Sequence, residues 1–131
     1  MRDRVIQDYN LEDFEFSQNY LFFWDKLEKS NFFLNNVIET RNEPLDGRLL
    51  QCLLTSPVND GGQWDMFMNI VNKYGVVPKS AMAESFNSTS SWEMEEFVTS
   101  KLREYAHSIR GMHKKGKSVD EMNLEKNEML Q

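Results

Sequence analysis

The sequence predicts a mainly α-helical fold. Apolar side chains recur at intervals of three and four residues through most of the 131-residue chain, which is the spacing of one face of a helix. Residues that start helices, such as Ser17, and residues that end them, such as Gly75 and Pro78, separate these segments. No segment has the regular apolar and polar alternation of a strand, although residues 75–77 can pair briefly with other extended backbone.

The first half of the chain predicts three helices. We expect a short first helix to end near Tyr9. Ser17 can cap a long second helix, because its hydroxyl can accept a hydrogen bond from an amide of the first turn. The connector at 40–47 contains proline and glycine and breaks the pattern. The leucine-rich stretch at 49–54 then predicts a short amphipathic helix that stops before Pro57.

A segment with two adjacent glycines, which we call the glycine ledge (residues 59–66), leads into the next helix. Gly61 and Gly62 have no Cβ, so another molecule can approach their backbone closely. Exposed main chain of this kind holds extended peptides through hydrogen bonds. The alternative is that the glycines only let the chain turn. Helical spacing then runs from Trp64 to Gly75, and we expect Trp64 to pack under the ledge.

The last part of the chain predicts two further helices. A polar, serine-rich stretch at 78–91 is expected to be a loop. Ser90 and Glu93 form a capping-box pattern, which predicts the start of a helix. Gly116 is expected to end that helix. The same capping pattern recurs from Ser118, before a final and weakly amphipathic helix.

The charge balance argues against nucleic-acid binding. The chain carries 21 acidic and 15 basic side chains, a net charge of −6, whereas phosphate binding needs a basic face. The basic cluster at 110–117 is interpreted as the solvated end of a helix, where cations favour the helix dipole. The alternative is a nucleic-acid contact made by Lys114, Lys115 and Lys117.

Cysteine usage and hydropathy indicate a soluble protein. A single cysteine excludes an internal disulfide framework and suits a reducing compartment. No apolar run approaches the roughly 20 residues of a membrane span, and the charged residues 1–4 are unlike a secretory signal. We therefore expect a cytoplasmic location and no membrane partner.

The reactive side chains form no recognisable catalytic or metal site. Cys52 lies in the leucine-rich stretch without a neighbouring histidine, so we expect it to be a small buried hydrophobe. His107 and His113 do not have the i, i+4 spacing of helical metal ligands. Asp60 and Asp65 are expected to cap the helix that follows the ledge. We expect no cofactor and no metal.

Four segments carry a resemblance to a known family. They are DGGQWDM at 60–66, DFEFSQNYLFFWDKLEK at 13–29, DGRLLQ at 46–51 and KLREY at 101–105. Together, and in their order along the chain, they resemble the papain-like cysteine peptidases, in their bleomycin hydrolase and aminopeptidase C branch. The likeness runs across nearly the whole chain and is weakest after Gly111.

The resemblance implies the helical left-hand half of a papain-like peptidase at residues 1–110, and the start of a helical insertion at 111–131. In this family the catalytic glutamine and cysteine precede the matching region, and the histidine and asparagine follow it. The resemblance therefore implies an internal fragment that lacks the catalytic residues and is inactive alone. The implied activity is a cysteine aminopeptidase that releases N-terminal residues from peptides through an acyl-enzyme.

The resemblance also implies a substrate-binding role for the glycine ledge. The backbone of Gly61 and Gly62 would pair, antiparallel, with the substrate residue second from the scissile bond. Asn59 and Asp60 would border that subsite, and Met82 would contribute an apolar wall. The family typically assembles as a hexamer, and we expect this chain to form a dimer or larger assembly through its aromatic surface. The alternative interpretation is a stand-alone helical protein-interaction module.

Overall fold

The computed structural model describes all residues, Met1–Gln131. Its helices are α1 Arg2–Tyr9, α2 Gln18–Glu39, α3 Arg48–Thr55, α4 Trp64–Tyr74, α5 Phe86–Thr89, α6 Trp92–Lys114 and α7 Val119–Met129. Extended backbone pairs at one isolated antiparallel bridge, between Phe16 and Pro78. The mainly α-helical fold class is confirmed. None of the seven helices combines the length and apolar character needed to cross a membrane.

The chain divides into two compact units. Unit 1 contains Met1–Asp25 and Gly61–Ser91, and unit 2 contains Lys26–Asp60 and Trp92–Gln131. Each is described separately below. The division at residue 110 that the resemblance implies falls inside α6 and stays a prediction.

Ser17 joins three segments of unit 1. Its hydroxyl accepts a hydrogen bond from the amide of Tyr20 at 3.0 Å, so Ser17 caps α2 as the sequence predicts. The same hydroxyl donates to the carbonyl oxygen of Met82 at 2.6 Å. The Ser17 amide donates to the carbonyl of Val77 at 2.9 Å. These bonds hold the start of α2 against the extended segment that follows α4.

The end of α4 also matches the sequence prediction. Gly75 adopts a φ of 76°, and its amide donates to the carbonyl oxygen of Val71 at 2.8 Å. This left-handed conformation strains residues that carry a Cβ. Glycine therefore ends the helix, and the chain continues into the bridge at Pro78.

The core of unit 2 consists of apolar side chains from α2, α6, α7 and the segment after α3. It contains Phe33, Leu34, Val37, Ile38, Val58, Leu102, Ala106, Ile109 and Met122. Burial of each large side chain contributes about 1.5–3 kcal/mol. The capping box of α7 is formed as predicted, since the Ser118 hydroxyl accepts from the amide of Glu121 at 3.2 Å and the Glu121 carboxylate accepts from the amide of Ser118 at 2.8 Å.

The capping box predicted at Ser90 and Glu93 is wrong. The short helix α5 occupies Phe86–Thr89, and Ser90 is the residue that ends it. A separate capping box at Ser85 and Ser88 opens α5, where the Ser88 amide donates to the Ser85 hydroxyl at 3.2 Å. The physical reason is that Ser90 belongs to the end of α5, whereas the predicted helix, α6, begins two residues later at Trp92.

Candidate functional site

The glycine ledge is exposed along its whole length, and residues 61–63 lie in neither a helix nor a turn. A Cβ added at Gly62 would meet no atom of the chain within 4 Å. Positive φ angles among glycines occur at Gly75 and Gly116, not in the ledge. The interpretation that the glycines only permit a turn therefore finds no support at Gly62. The open space beside Gly62 leaves its backbone accessible to close approach by another molecule.

Two lysines of α2 hold the chain at residues 58–60, where the ledge begins. Lys26 is 7% exposed and Lys29 is 8% exposed. The Lys26 ammonium donates to the carbonyl oxygen of Val58 at 3.0 Å and to the carboxylate of Asp60 at 2.6 Å. The Lys29 ammonium donates to the carbonyl oxygen of Asn59 at 2.7 Å. Three consecutive residues of the chain are thus fixed by charged donors.

Glu95 of α6 completes the charge cluster around Lys26. Its carboxylate forms a salt bridge with the Lys26 ammonium. Burial raises the pKa of Glu95, and the nearby Asp60 carboxyl, which hydrogen bonds to it, raises this pKa further. These effects outweigh the attraction of Lys26, which lowers the pKa. The cluster contains two carboxyl groups and one ammonium group, so a proton on Glu95 relieves the repulsion between the carboxylates.

Met82 is held by its backbone and is half-buried. Its carbonyl oxygen accepts a hydrogen bond from the Ser17 hydroxyl, and the next carbonyl, of Ala83, accepts one from the side-chain amide of Asn19 at 2.9 Å. Met82 lies in unit 1 together with Gly61 and Gly62, whereas Asn59 and Asp60 lie in unit 2. The substrate-binding roles expected for these five residues stay predictions.

Two expectations for the start of α4 are wrong. Gln63 is the residue before the helix, and no side chain caps it. Asp60 binds Lys26 instead, whereas Asp65 lies in the first turn of α4, where its carboxylate suits the helix dipole as expected. Trp64 is 71% exposed rather than packed under the ledge. The reason is that α4 buries Ile70, and a side chain six positions earlier lies about 120° away around the helix axis.

Cys52 is exposed, so the prediction that it is buried is wrong. The physical reason is the helical position of Cys52, because α3 buries Leu50 and a side chain two positions later points to the opposite side of the helix. His107 is also exposed. No group of three or more His, Cys, Asp or Glu side chains is placed to hold a metal ion.

A groove of about 670 Å³ in unit 2 is lined by Leu45, Gln51, Leu54, Thr55, Arg103, Ala106, His107, Arg110, Gly111, Lys114 and Lys115. Its arginines serve the fold. Arg103 donates to the carbonyl oxygen of Leu54 at 2.9 and 3.0 Å, and Arg110 donates to that of Thr40 at 2.9 Å. Arg110 is therefore not part of a solvated helix end as predicted, whereas Lys114 and Lys115 are exposed.

The sequence interpretation missed Lys26, Lys29 and Glu95. A signal was available, because Lys26 and Lys29 lie three residues apart on the face of α2 that also carries Phe33. Lysine is almost never fully buried unless it is paired. Two lysines on an apolar helix face therefore indicate buried acceptors, although the sequence does not say which.

Known proteins with similar sequences are peptidases. A family model described as the peptidase C1-like family matches residues 1–131. Bleomycin hydrolase of Gallus gallus is 52% identical over 124 residues, which cover 93% of this chain and 27% of that protein. Aminopeptidase C of Listeria innocua is 51% identical over 118 residues, covering 90% of this chain and 27% of that protein.

A solved structure shows the same fold. The crystal structure of PepW from Lactobacillus rhamnosis superposes with a TM-score of 0.91 at 44% identity, covering 99% of this chain and 29% of that one. The chain thus spans between a quarter and a third of the length of these relatives. With a match along its whole length, the chain belongs to the peptidase C1-like family.

Proposed function

We propose that this chain is the helical part of a cysteine aminopeptidase of the bleomycin hydrolase type, and that the glycine ledge forms one wall of its substrate groove. The observation that carries the proposal is the open backbone at Gly62, where a Cβ would meet nothing within 4 Å. The identities of about half with bleomycin hydrolase and aminopeptidase C support the peptidase class.

The ledge binds an extended peptide through its main chain. The amide and carbonyl groups of Gly61 and Gly62 are the donor and acceptor for the substrate residue second from the scissile bond. Asn59 and Asp60 border this subsite, and Met82 supplies an apolar wall. Selectivity at this subsite comes from the shape of the wall, because main-chain hydrogen bonds do not distinguish between side chains.

The chemical step belongs to residues of the whole protein that lie outside these 131. A cysteine thiolate attacks the peptide carbonyl and a thioester forms, while the amine leaves with a proton from a histidine. Water then hydrolyses the thioester, which releases the N-terminal residues on the acyl side of the cleaved bond, including the one that the ledge binds, and restores the thiol. The role of this chain is to position the peptide for that attack.

We also propose a cellular location and binding partners for the whole protein. A single cysteine fits a reducing compartment, so the proposed location is the cytoplasm. The proposed partners are the peptide substrate and further copies of the protein in a hexamer. Exposed apolar side chains of unit 2, such as Phe32 and Phe97, support self-association. Nucleic acid and membrane are not proposed as partners.

A second candidate function is a helical protein-interaction module without catalysis. It is favoured by the exposure of large aromatic side chains within unit 1, such as Trp64 and Phe86. Such side chains are enriched at protein interfaces. On this alternative, the protein encoded by the gene has no peptidase activity.

Hydrolysis of an aminoacyl-coumarin distinguishes the two functions. For the protein as its gene encodes it, we expect hydrolysis that iodoacetamide abolishes and that the Cys52→Ser variant retains. For the 131-residue chain alone we expect none. Hydrolysis by the isolated chain would contradict the residue assignments, and absence of hydrolysis by the gene-encoded protein would favour the interaction module.

A further inference from the structure

The cluster around Lys26 lies just before the two glycines of the ledge. Its acceptors are the Val58 carbonyl, the Asp60 carboxylate and the Glu95 carboxylate. A buried ammonium loses its hydration and is stable only when its donors are satisfied. In this cluster, acceptors from α6 and from residues 58–60 take the place of water around the ammonium. The position of Lys26 therefore determines where the main chain at residues 58–60 lies.

Lys29 extends the same arrangement by one residue. It lies one helical turn after Lys26 on α2, and its ammonium donates to the carbonyl oxygen of Asn59. The two lysines therefore hold two successive carbonyl groups and the next side chain, at residues 58–60. In a strand, the backbone carbonyl groups are paired by the neighbouring strand. In this irregular segment the two lysines take that part, because a carbonyl group that is removed from water needs a hydrogen-bond donor.

We propose that Lys26 and Lys29 are positioning residues, which fix the backbone of residues 58–60 at the point where the chain enters the glycine pair. The inference rests on the proposed function of the ledge. Asp60 is bonded covalently to Gly61, so the last held residue sets the start of the glycine pair. Charged donors make shorter and stronger hydrogen bonds than neutral ones, which suits a segment that has to be rigid before the substrate arrives.

Glu95 has a separate role in this cluster, which is to accept a hydrogen bond from the Lys26 ammonium. It contacts the Lys26 ammonium but no carbonyl group of the ledge. Removal of Lys26 alone leaves the Asp60 and Glu95 carboxylates facing each other, so the Lys26→Met variant loses stability as well as the held carbonyl. The double variant Lys26→Met with Glu95→Gln removes that repulsion, but it still lacks the contact with the Val58 carbonyl. The pair of variants separates stability from positioning.

The first measurement is hydrogen exchange of the amides at 58–63 in the gene-encoded protein, followed by mass spectrometry. We expect exchange about tenfold faster in Lys29→Met and in the double variant, which corresponds to about 1.4 kcal/mol of local opening. The matched control is Lys101→Met, an exposed lysine of α6 whose partner is Glu104. Exchange equal to that of the wild type in both variants would overturn the proposal.

The second measurement is inhibition of aminoacyl-coumarin hydrolysis by two aldehydes. A dipeptide aldehyde reaches the subsite of the ledge, whereas an aminoacyl aldehyde does not. In Lys29→Met and in the double variant, we expect the inhibition constant of the dipeptide aldehyde to rise about tenfold. The inhibition constant of the aminoacyl aldehyde is expected to stay unchanged. A merely structural role of the lysines would weaken both inhibitors equally and would overturn the proposal.

The two measurements distinguish the inference from the proposed function. Faster exchange with unchanged inhibition by the dipeptide aldehyde would support positioning by the lysines and would overturn the substrate role of the ledge. Faster exchange in a gene-encoded protein without peptidase activity would likewise support positioning and overturn the proposed function.

Discussion

Trp24 stacks on Tyr74, with ring centroids 3.7 Å apart and an angle of 10° between the ring planes. The hydroxyl of Tyr20, one turn earlier on α2, donates to the carbonyl oxygen of Tyr74 at 2.8 Å. Tyr74 is the last residue of α4, so its ring and its orphan carbonyl are both satisfied by α2. Within unit 1, the helix that begins directly after the ledge is therefore held at its far end by two aromatic residues.

The hydrogen bond from Tyr20 to the end of α4 contributes to stability. We expect Tyr20→Phe to lower the free energy of unfolding by about 0.5–1.5 kcal/mol, because the carbonyl of Tyr74 loses its donor. Urea unfolding followed by fluorescence measures the change. Tyr9→Phe is the control, since Tyr9 is exposed and is expected to have no effect. Equal stability of Tyr20→Phe and the wild type would show that water replaces the lost bond.

The capping box at Ser118 stabilises α7. We expect Ser118→Ala to lower the free energy of unfolding by about 1 kcal/mol, the usual cost of losing a helix cap. Ser108→Ala, an exposed position within α6, serves as the control in the same denaturation experiment. A loss no larger than that of the control would contradict the role of the cap.

Glu95 gives unit 2 a pH dependence of a defined sign. Burial and Asp60 raise the pKa of Glu95 above its ordinary value of 4.5, so the folded protein holds this proton more tightly than the unfolded chain. The contribution of Glu95 to stability is therefore full below pH 4.5 and is lost as the pH rises through the folded pKa. The groups that face Glu95 are Lys26 and Asp60.

Thermal unfolding between pH 4 and pH 7 tests this sign. We expect the difference in stability between Glu95→Gln and the wild type to change in favour of the variant as the pH rises, because glutamine cannot ionise. Glu96→Gln, an exposed neighbour, is the control and should show no such trend. A difference that moves in favour of the wild type would mean that Lys26 lowers the pKa of Glu95 more than burial raises it.

Cys52 is accessible in the native protein. We expect its thiol to react with a chromogenic disulfide reagent without denaturant, and Cys52→Ser to retain the peptidase activity of the gene-encoded protein. The absorbance change after mixing measures the reaction of the thiol, and aminoacyl-coumarin hydrolysis measures the peptidase activity. Reaction that requires unfolding would contradict the exposed position of the side chain.

A helix boundary is predictable from this sequence where a single residue near it can start or end a helix. Ser17 and Gly75 act where expected because each is the single strong signal at its helix end. In the serine-rich stretch the predicted cap does not form, because Ser90 ends α5, a short helix within the segment expected to be a loop. The helices themselves follow from apolar spacing, which tertiary packing reinforces.

Side-chain surroundings were less predictable than helices. Cys52 and Trp64 are apolar in character, yet both are exposed because they lie away from the buried faces of α3 and α4. Lys26 is buried because Asp60 and Glu95 are brought to it from distant parts of the sequence. Such long-range charge pairing leaves only an indirect trace in the sequence, a lysine on an apolar helix face.

The most direct test of the ledge is the inhibition constant of a dipeptide aldehyde for the Gly62→Ala variant of the gene-encoded protein. No atom of the chain lies within 4 Å of the added Cβ, so stability should change by less than about 1 kcal/mol. Gly111→Ala, which is equally open, is the matched control. If the ledge binds peptide, inhibition weakens about tenfold in Gly62→Ala alone. Unchanged inhibition in a stably folded Gly62→Ala variant would contradict the account.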